Sequence, residues 1–214
     1  ENVQRPKVNN ERTRYLTDAE RESLLNACEI SHNPDLYLVV LLAISTGMRK
    51  GEIMGMRWQD IHAAPDQSFT RVHLPKTKNG KARSVLLTSP ALELLEDRRT
   101  KLVESQEGKA AAGLVFPSTA NVTQPVDLRK SWSAALKAAG IEEFRFHDLR
   151  HTTASYLAMN GASLLAISKV LGHKTTKMTE RYSHLATSHI DEVVRSMNAK
   201  KFGPASKSAP TTES

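Results

Sequence analysis

At 214 residues, with 39% hydrophobic and 25% charged side chains, the chain has an ordinary globular composition and enough length to bury a core. Its net charge of +7 and isoelectric point near 9.6 favour an acidic partner, nucleic acid before a membrane surface. One cysteine, Cys28, excludes an internal disulfide framework and a cysteine metal cluster, and the longest apolar run, Tyr37 to Ile44, is too short to span a bilayer.

Residues 1–15 are polar and basic (Arg5, Lys7, Arg12, Arg14) and read as a linker arriving from something upstream. Thr17-Asp18-Ala19-Glu20 is a capping box: the Thr17 hydroxyl accepts from the amide three residues on and Glu20 reaches back, so a helix is predicted to about Ile30. Cys28, beside Leu24, Leu25 and Ala27 in that helix, reads as a buried structural thiol. A second helix follows from Asn33 or Pro34 to Thr46 and stops at Gly47, and a short one covers Glu52 to Met56. From Arg57 to Thr88 the pattern changes. Trp58, Ile61, Val72, Leu74, Val85 and Leu87 lie in short runs separated by Pro65-Asp66 and Asn79-Gly80. Asn-Gly tolerates the positive φ of a hairpin turn, so a small antiparallel sheet of about three strands is expected.

Pro90, behind Ser89, reads as the first-turn proline of a helix from Ala91 to Glu104, and 105–124 is loop-rich. Another helix spans Asp127 to Ala139 and stops at Gly140. Helices over 147–159, 163–171, 176–184 and 187–199 complete the chain, the last with Ile190, Val193, Val194 and Met197 on one face. The Pro-, Ser- and Thr-rich stretch 203–214 is expected to be disordered. With no internal repeat, the fold class is mainly α with a small antiparallel β-sheet (α+β). Nothing reads as a signal peptide, although the chain opens on Glu1, and a cytoplasmic setting fits.

The chemistry concentrates in a few stretches. In a helix starting near His147, residues His147, Arg150 and His151 share a face, while Leu149, Thr153, Tyr156 and Leu157 fall on another that can meet the core. Downstream stands Tyr182. A phenol, with a pKa near 10, is a poor nucleophile at neutral pH and needs a proton acceptor, which His147 could supply. Attack on a phosphodiester builds charge on the non-bridging oxygens, and two guanidiniums, Arg49 and Arg150, suit that charge because each can grip two oxygens. The leaving 5′-oxygen needs a proton, which a lysine on a hairpin can deliver, and His173 can hydrogen-bond the same phosphate. No metal or nucleotide cofactor is required.

These residues stand in four stretches. Thr46-Gly47-Met48-Arg49-Lys50-Gly51-Glu52-Ile53 resembles the first arginine box of the tyrosine recombinases, the phage integrase family. His147-Asp148-Leu149-Arg150-His151-Thr152 resembles its His-x-x-Arg box, and Leu171-Gly172-His173, nine residues before Tyr182, resembles the third box and the nucleophile. The resemblance covers about residues 12–200 and implies a site-specific DNA recombinase that works through a 3′-phosphotyrosine in the integration and excision of a prophage or mobile element. It implies Arg49 and Arg150 as phosphate clamps, His147 as base or hydrogen-bond donor, His173 as phosphate hydrogen-bonder and Tyr182 as nucleophile. The family's lysine lies on the hairpin between the second and third strands, where Lys78 matches best and Lys76 and Lys81 are alternatives. Leu86 stands where the family often has proline. The expected organisation is a basic linker 1–15, a catalytic domain 16–200 and a disordered tail 201–214, with no room for the N-terminal domain such enzymes usually carry. Expected partners are double-stranded DNA, further copies forming a homotetramer on DNA from a monomer off it, and an accessory directionality factor.

Glu52, three residues after Arg49, is expected to hold that arginine by an ion pair. His151 reads as structural or site-lining, His184 as packing or capping, and His62, His73 and His189 as surface residues. His147-Asp148-Leu149-Arg150-His151 also approaches the zinc-protease pattern His-Glu-x-x-His, but aspartate reaches a metal-bound water less well and Arg150 would oppose the metal. A DNA-binding module that has lost the chemistry is disfavoured because every expected catalytic position is filled. A type IB topoisomerase, similar in fold and nucleophile, differs in acting alone.

Overall fold

The computed structural model describes residues 14–64, 70–75, 82–186 and 190–203. Helix α1 (Asp18–Glu29) begins at the predicted capping box: Thr17 accepts from the Glu20 amide at 3.2 Å and Glu20 accepts from the Thr17 amide at 2.8 Å. Cys28 is buried in it, and burial pushes its thiol up to about 12. Helix α2 (Leu36–Thr46) is apolar on every side, which suits only a helix surrounded by protein. It packs against α1, α4 and α6 and forms the centre of the core, with Leu36, Val39, Val40 and Leu42 fully buried. It starts later than predicted because Asn33 turns back on itself, its side chain taking the Asp35 amide at 3.0 Å. It ends at Gly47, whose φ of +66° reverses the chain into the short helix α3 (Lys50–Met54).

Three antiparallel strands follow in the order β1 (Ile61–Ala63), β2 (Thr70–Leu74), β3 (Arg83–Leu87). The register sets Ile61 against Val72 and Val72 against Val85, so alternate residues bury one face against α2 while His62, His73 and Leu86 face outward. Residues 76–81, with Lys76, Lys78 and Lys81, lie outside the described residues. Pro90 occupies the capping position of α4 (Ala91–Ser105), one residue before its first turn, and its carbonyl accepts from the Leu94 amide at 3.3 Å. Helix α5 (Arg129–Ala138) starts two residues after Asp127, whose carboxylate accepts the Arg129 amide at 3.0 Å.

Helix α6 (Asp148–Met159) crosses α2, and α7 (Leu164–Leu171) packs on it, capped by Ser163 and ended by Gly172 at φ +65°. The N-terminal segment is tied down here: Leu16 donates to the Thr152 hydroxyl at 3.1 Å and accepts from Tyr156 at 3.0 Å, while Arg14 pairs with Glu20.

The predicted helix over 176–184 is absent. Two 3₁₀ turns (Thr176–Met178 and Glu180–Tyr182) lead into the single turn α8 (Ser183–Ala186). Thr179 between them is fully buried, with its hydroxyl 2.8 Å from His173 Nδ1, and that anchorage breaks the helical path. Helix α9 (Ile190–Phe202) carries on past residue 200, where the tail was expected to begin. It exposes Val194, Met197 and Phe202, and residues 1–13, 187–189 (including His189) and 204–214 lie outside the description.

Candidate active site

The centre is Arg150, in the first turns of α6. Sequence periodicity placed it on a polar face apart from the buried stripe, but it is only 4% exposed. Nη1 donates to the Gly47 carbonyl at 2.7 Å and Nη2 to the Leu171 carbonyl. Both oxygens belong to helix C-termini, of α2 and α7, where unpaired carbonyls and the helix dipole favour a cation. One guanidinium thus joins the first arginine box, the His-x-x-Arg box and the third box. Burial, then the nearby charges of Arg49 and Arg83, lower its pKa to about 9, so it stays protonated at neutral pH. The α6 backbone is fixed by Thr153, whose hydroxyl donates to the Ile44 carbonyl at 2.8 Å.

Arg49 lies at the start of α3, where the Glu52 side chain takes both its backbone amide (2.8 Å) and its Nη1 (2.9 Å). The predicted ion pair is therefore present, but Glu52 is shared: Arg83 Nη2 reaches its Oε2 at 2.7 Å. Burial would raise the Glu52 carboxyl, yet hydrogen bonds from Arg49 and the charge of Arg83 outweigh it and hold the group below its usual range. A cleft of about 630 Å³ opens beside Arg49 and Glu52, lined also by Arg57, Gln59, Asp60 and Leu74.

Tyr182 is 2% exposed and packs with Ala154, Ala158, Ile167 and Leu171 in a small cluster apart from the main core. Its hydroxyl hydrogen-bonds to Nδ1 of His151. His147, to which the acceptor role was assigned from sequence, is exposed, and its ring meets that of His151 edge to face at 5.3 Å. Burial pushes the phenol up to about 12. Burial, then the charge of His147, pushes His151 down to about 4. His173 is also held at about 4, by burial first and then by Arg150 and Arg49. In this arrangement the proton stays on the phenol and both partly buried imidazoles are neutral at pH 7.

Arg49, Glu52, His147, Arg150, His173 and Tyr182 therefore share one region of the fold, while Lys78 lies outside the described residues. Two residues were missed. Arg83 has no role in the sequence reading, although its charge, alternating with buried Val85 and Leu87 along one strand, signals that it points inward to a partner. His151 was given no contact with Tyr182, since no local spacing relates α6 to the Tyr182 turn. His184 is exposed, not packed. Against the zinc reading, the Arg150 cation acts on His151, and His151 is turned to a phenol.

Residues 14–189 match the model of the phage integrase family, and the chain belongs to that family. It is 32% identical over 199 residues to the integrase of Salmonella phage P22, covering 91% of this chain and 49% of that protein. It is 34% identical over 184 residues to the shufflon-specific DNA recombinase of Escherichia coli, covering 86% and 43%. The chain spans about half the length of these curated relatives. The solved catalytic domain of bacteriophage HP1 integrase matches it with a TM-score of 0.63 at 27% identity, over 89% of this chain and 98% of that one. Helices around one three-stranded antiparallel sheet are thus the tyrosine recombinase catalytic-domain fold.

Proposed function

We propose that the chain is the catalytic part of a site-specific recombinase that cleaves and rejoins double-stranded DNA in the integration and excision of a prophage or mobile element. Residues 16–200 form the catalytic unit and 1–15 the linker. The observation that carries this reading is the buried Arg150 guanidinium, which binds carbonyls from two other boxes and shares its surroundings with Arg49 and His173. Two guanidiniums stabilise charge on the non-bridging oxygens of a scissile phosphate, and His173 adds a hydrogen bond. The Tyr182 oxygen attacks phosphorus and gives up its proton, the bond to the 5′-oxygen breaks, and Lys78 (or Lys76 or Lys81) protonates that oxygen. Reversal by a 5′-hydroxyl of another strand completes the exchange, with no metal or cofactor consumed.

Two imidazoles compete to take the phenol proton. The resemblance assigns His147; the hydrogen bond to Tyr182 favours His151. A phosphate arriving at the arginines raises the proton affinity of either imidazole. At 2% exposure the phenol meets DNA only if the turns around Tyr182 move, so the DNA-free arrangement is a resting one. On DNA the reading extends to a homotetramer assembled from monomers, with an accessory protein setting direction; ultracentrifugation with and without a synapsed site counts the protomers.

The test is covalent trapping. A library of nicked duplexes with randomised sequence lets the short fragment bearing the freed 5′-hydroxyl escape after cleavage, so the 3′-linked adduct accumulates and can be sequenced. The wild-type chain should yield an SDS-resistant adduct and Tyr182→Phe none; an adduct formed equally by Tyr182→Phe would refute the nucleophile.

A further inference from the structure

Arg83 opens β3 at the base of the hairpin, and none of the roles above uses it. Its side chain is 13% exposed. Nη2 donates to Glu52 at 2.7 Å and Nη1 to the Val170 carbonyl at 2.5 Å, near the end of α7 and three residues before His173. Nε is buried without a hydrogen-bond partner among the described residues, so its donor faces protein and not solvent. Gly172 lies flat on the shaft: a Cβ there would stand 2.9 Å from Arg83 Cδ and 3.1 Å from Nη1. Glu52 is consequently gripped from two sides, by Arg49 and by Arg83, which come from elements far apart in sequence.

We propose that Arg83 is a positioning residue for strand cleavage, fixing the Glu52 carboxylate and the end of α7 so that Arg49 and His173 stand in register at the phosphate. The inference rests on the recombinase reading above. The planar guanidinium fork suits this task because it reaches two acceptors on different elements at once, which an ammonium on a flexible stem does poorly. The link also anchors the start of β3, so one side chain ties strand, first box and the end of α7 together. Electrostatics point the same way. The Glu52 carboxylate pairs with Arg49 and Arg83 and also acts on Arg150, so Arg83 itself is occupied while it holds that carboxylate in place.

The test compares wild type, Arg83→Met, Arg83→Lys, Glu52→Gln and the Arg83→Met/Glu52→Gln double variant on a duplex recovered by trapping. Single-turnover cleavage at saturating DNA, DNA affinity and thermal unfolding are measured for each. Displacing the arginine by about 1 Å is worth about 10²-fold, so Arg83→Met should cleave slower by that order at saturation. Its DNA affinity should stay within about twofold, since a positioning contact acts on the transition state. Arg83→Lys should recover part of the rate, and should Arg83→Met fail to fold, the lysine variant carries the same comparison. The double variant should be no slower than the worse single one, because both break the same link. Wild-type rate in Arg83→Met, losses that multiply in the double variant, or a defect confined to DNA affinity would each overturn the proposal. Those outcomes leave the recombinase reading standing as long as wild type forms an adduct that Tyr182→Phe does not; absence of any wild-type adduct strikes that reading instead.

Discussion

Replacing Gly47 by alanine probes how the arginine boxes are held together. Gly47 has φ +66°, where an L-residue pays about 1–2 kcal/mol. Its new Cβ would stand 2.5 Å from Leu171 Cδ2 and 3.3 Å from Thr153 Cγ2. Leu171 is fully buried and cannot swing aside, so relief requires moving α7 or the Gly47 turn, an overpacking cost of about 1–3 kcal/mol. The sum is about 2–5 kcal/mol, or roughly 4–20 °C in Tm for a domain of this size. The displacement also falls on the two carbonyls that hold Arg150. Gly51→Ala is the matched control: it lies inside α3 with nothing within 4 Å of its added Cβ, and should gain about 0.5–1 kcal/mol. Urea and thermal unfolding followed by circular dichroism measure both. An unchanged Tm for Gly47→Ala, or equal shifts for the two variants, would refute the packing argument.

Arg49→Ala should lower cleavage about 10²–10³-fold with little change in Tm. Arg150→Ala should lose as much activity and also stability, about 1–3 kcal/mol for each of the Gly47 and Leu171 carbonyls left unpaired, so equal Tm values would contradict its structural role. His151→Leu strands the buried Tyr182 hydroxyl at about 1–3 kcal/mol, and Tyr182→Phe in that background should restore most of the loss; a double-mutant cycle with no coupling would argue against the bond. His151 and His173 sit at about 4 in the fold and at 6.5 when unperturbed, so the unfolded chain binds more protons between those values. Their contribution is complete above pH 6.5 and is lost as pH falls toward 4. Denaturation midpoints across that window should fall, and His173→Gln should flatten the slope.

The parts of the fold governed by local rules were legible. The capping box at Thr17, the glycine stop at Gly47 and the alternation of Val72, Leu74, Val85 and Leu87 each follow from a few adjacent residues, and each is present. The helix expected over 176–184 fails because Thr179 is recruited by His173, a tertiary contact that periodicity does not encode. The site behaves the same way. Residue types and spacing brought out Arg49, Glu52, Arg150, His173 and Tyr182, since chemistry restricts which side chains can serve. Which imidazole meets the phenol, and that Glu52 serves two arginines, depend on how α6, β3 and α7 pack. Arg150 shows the limit most clearly: its spacing suggested a solvated face, and two helix C-termini made burial of a cation tolerable instead.

Mapping the attachment site of the trapped DNA tests the central claim most directly. Trypsin cleaves after Arg181, so an adduct at the phenol places the nucleotide remnant on a peptide that begins at Tyr182, and mass spectrometry locates it to that residue. The account predicts a 3′-phosphate ester on the Tyr182 oxygen and on no other side chain. A remnant on another tyrosine, on a serine or on a histidine would contradict it.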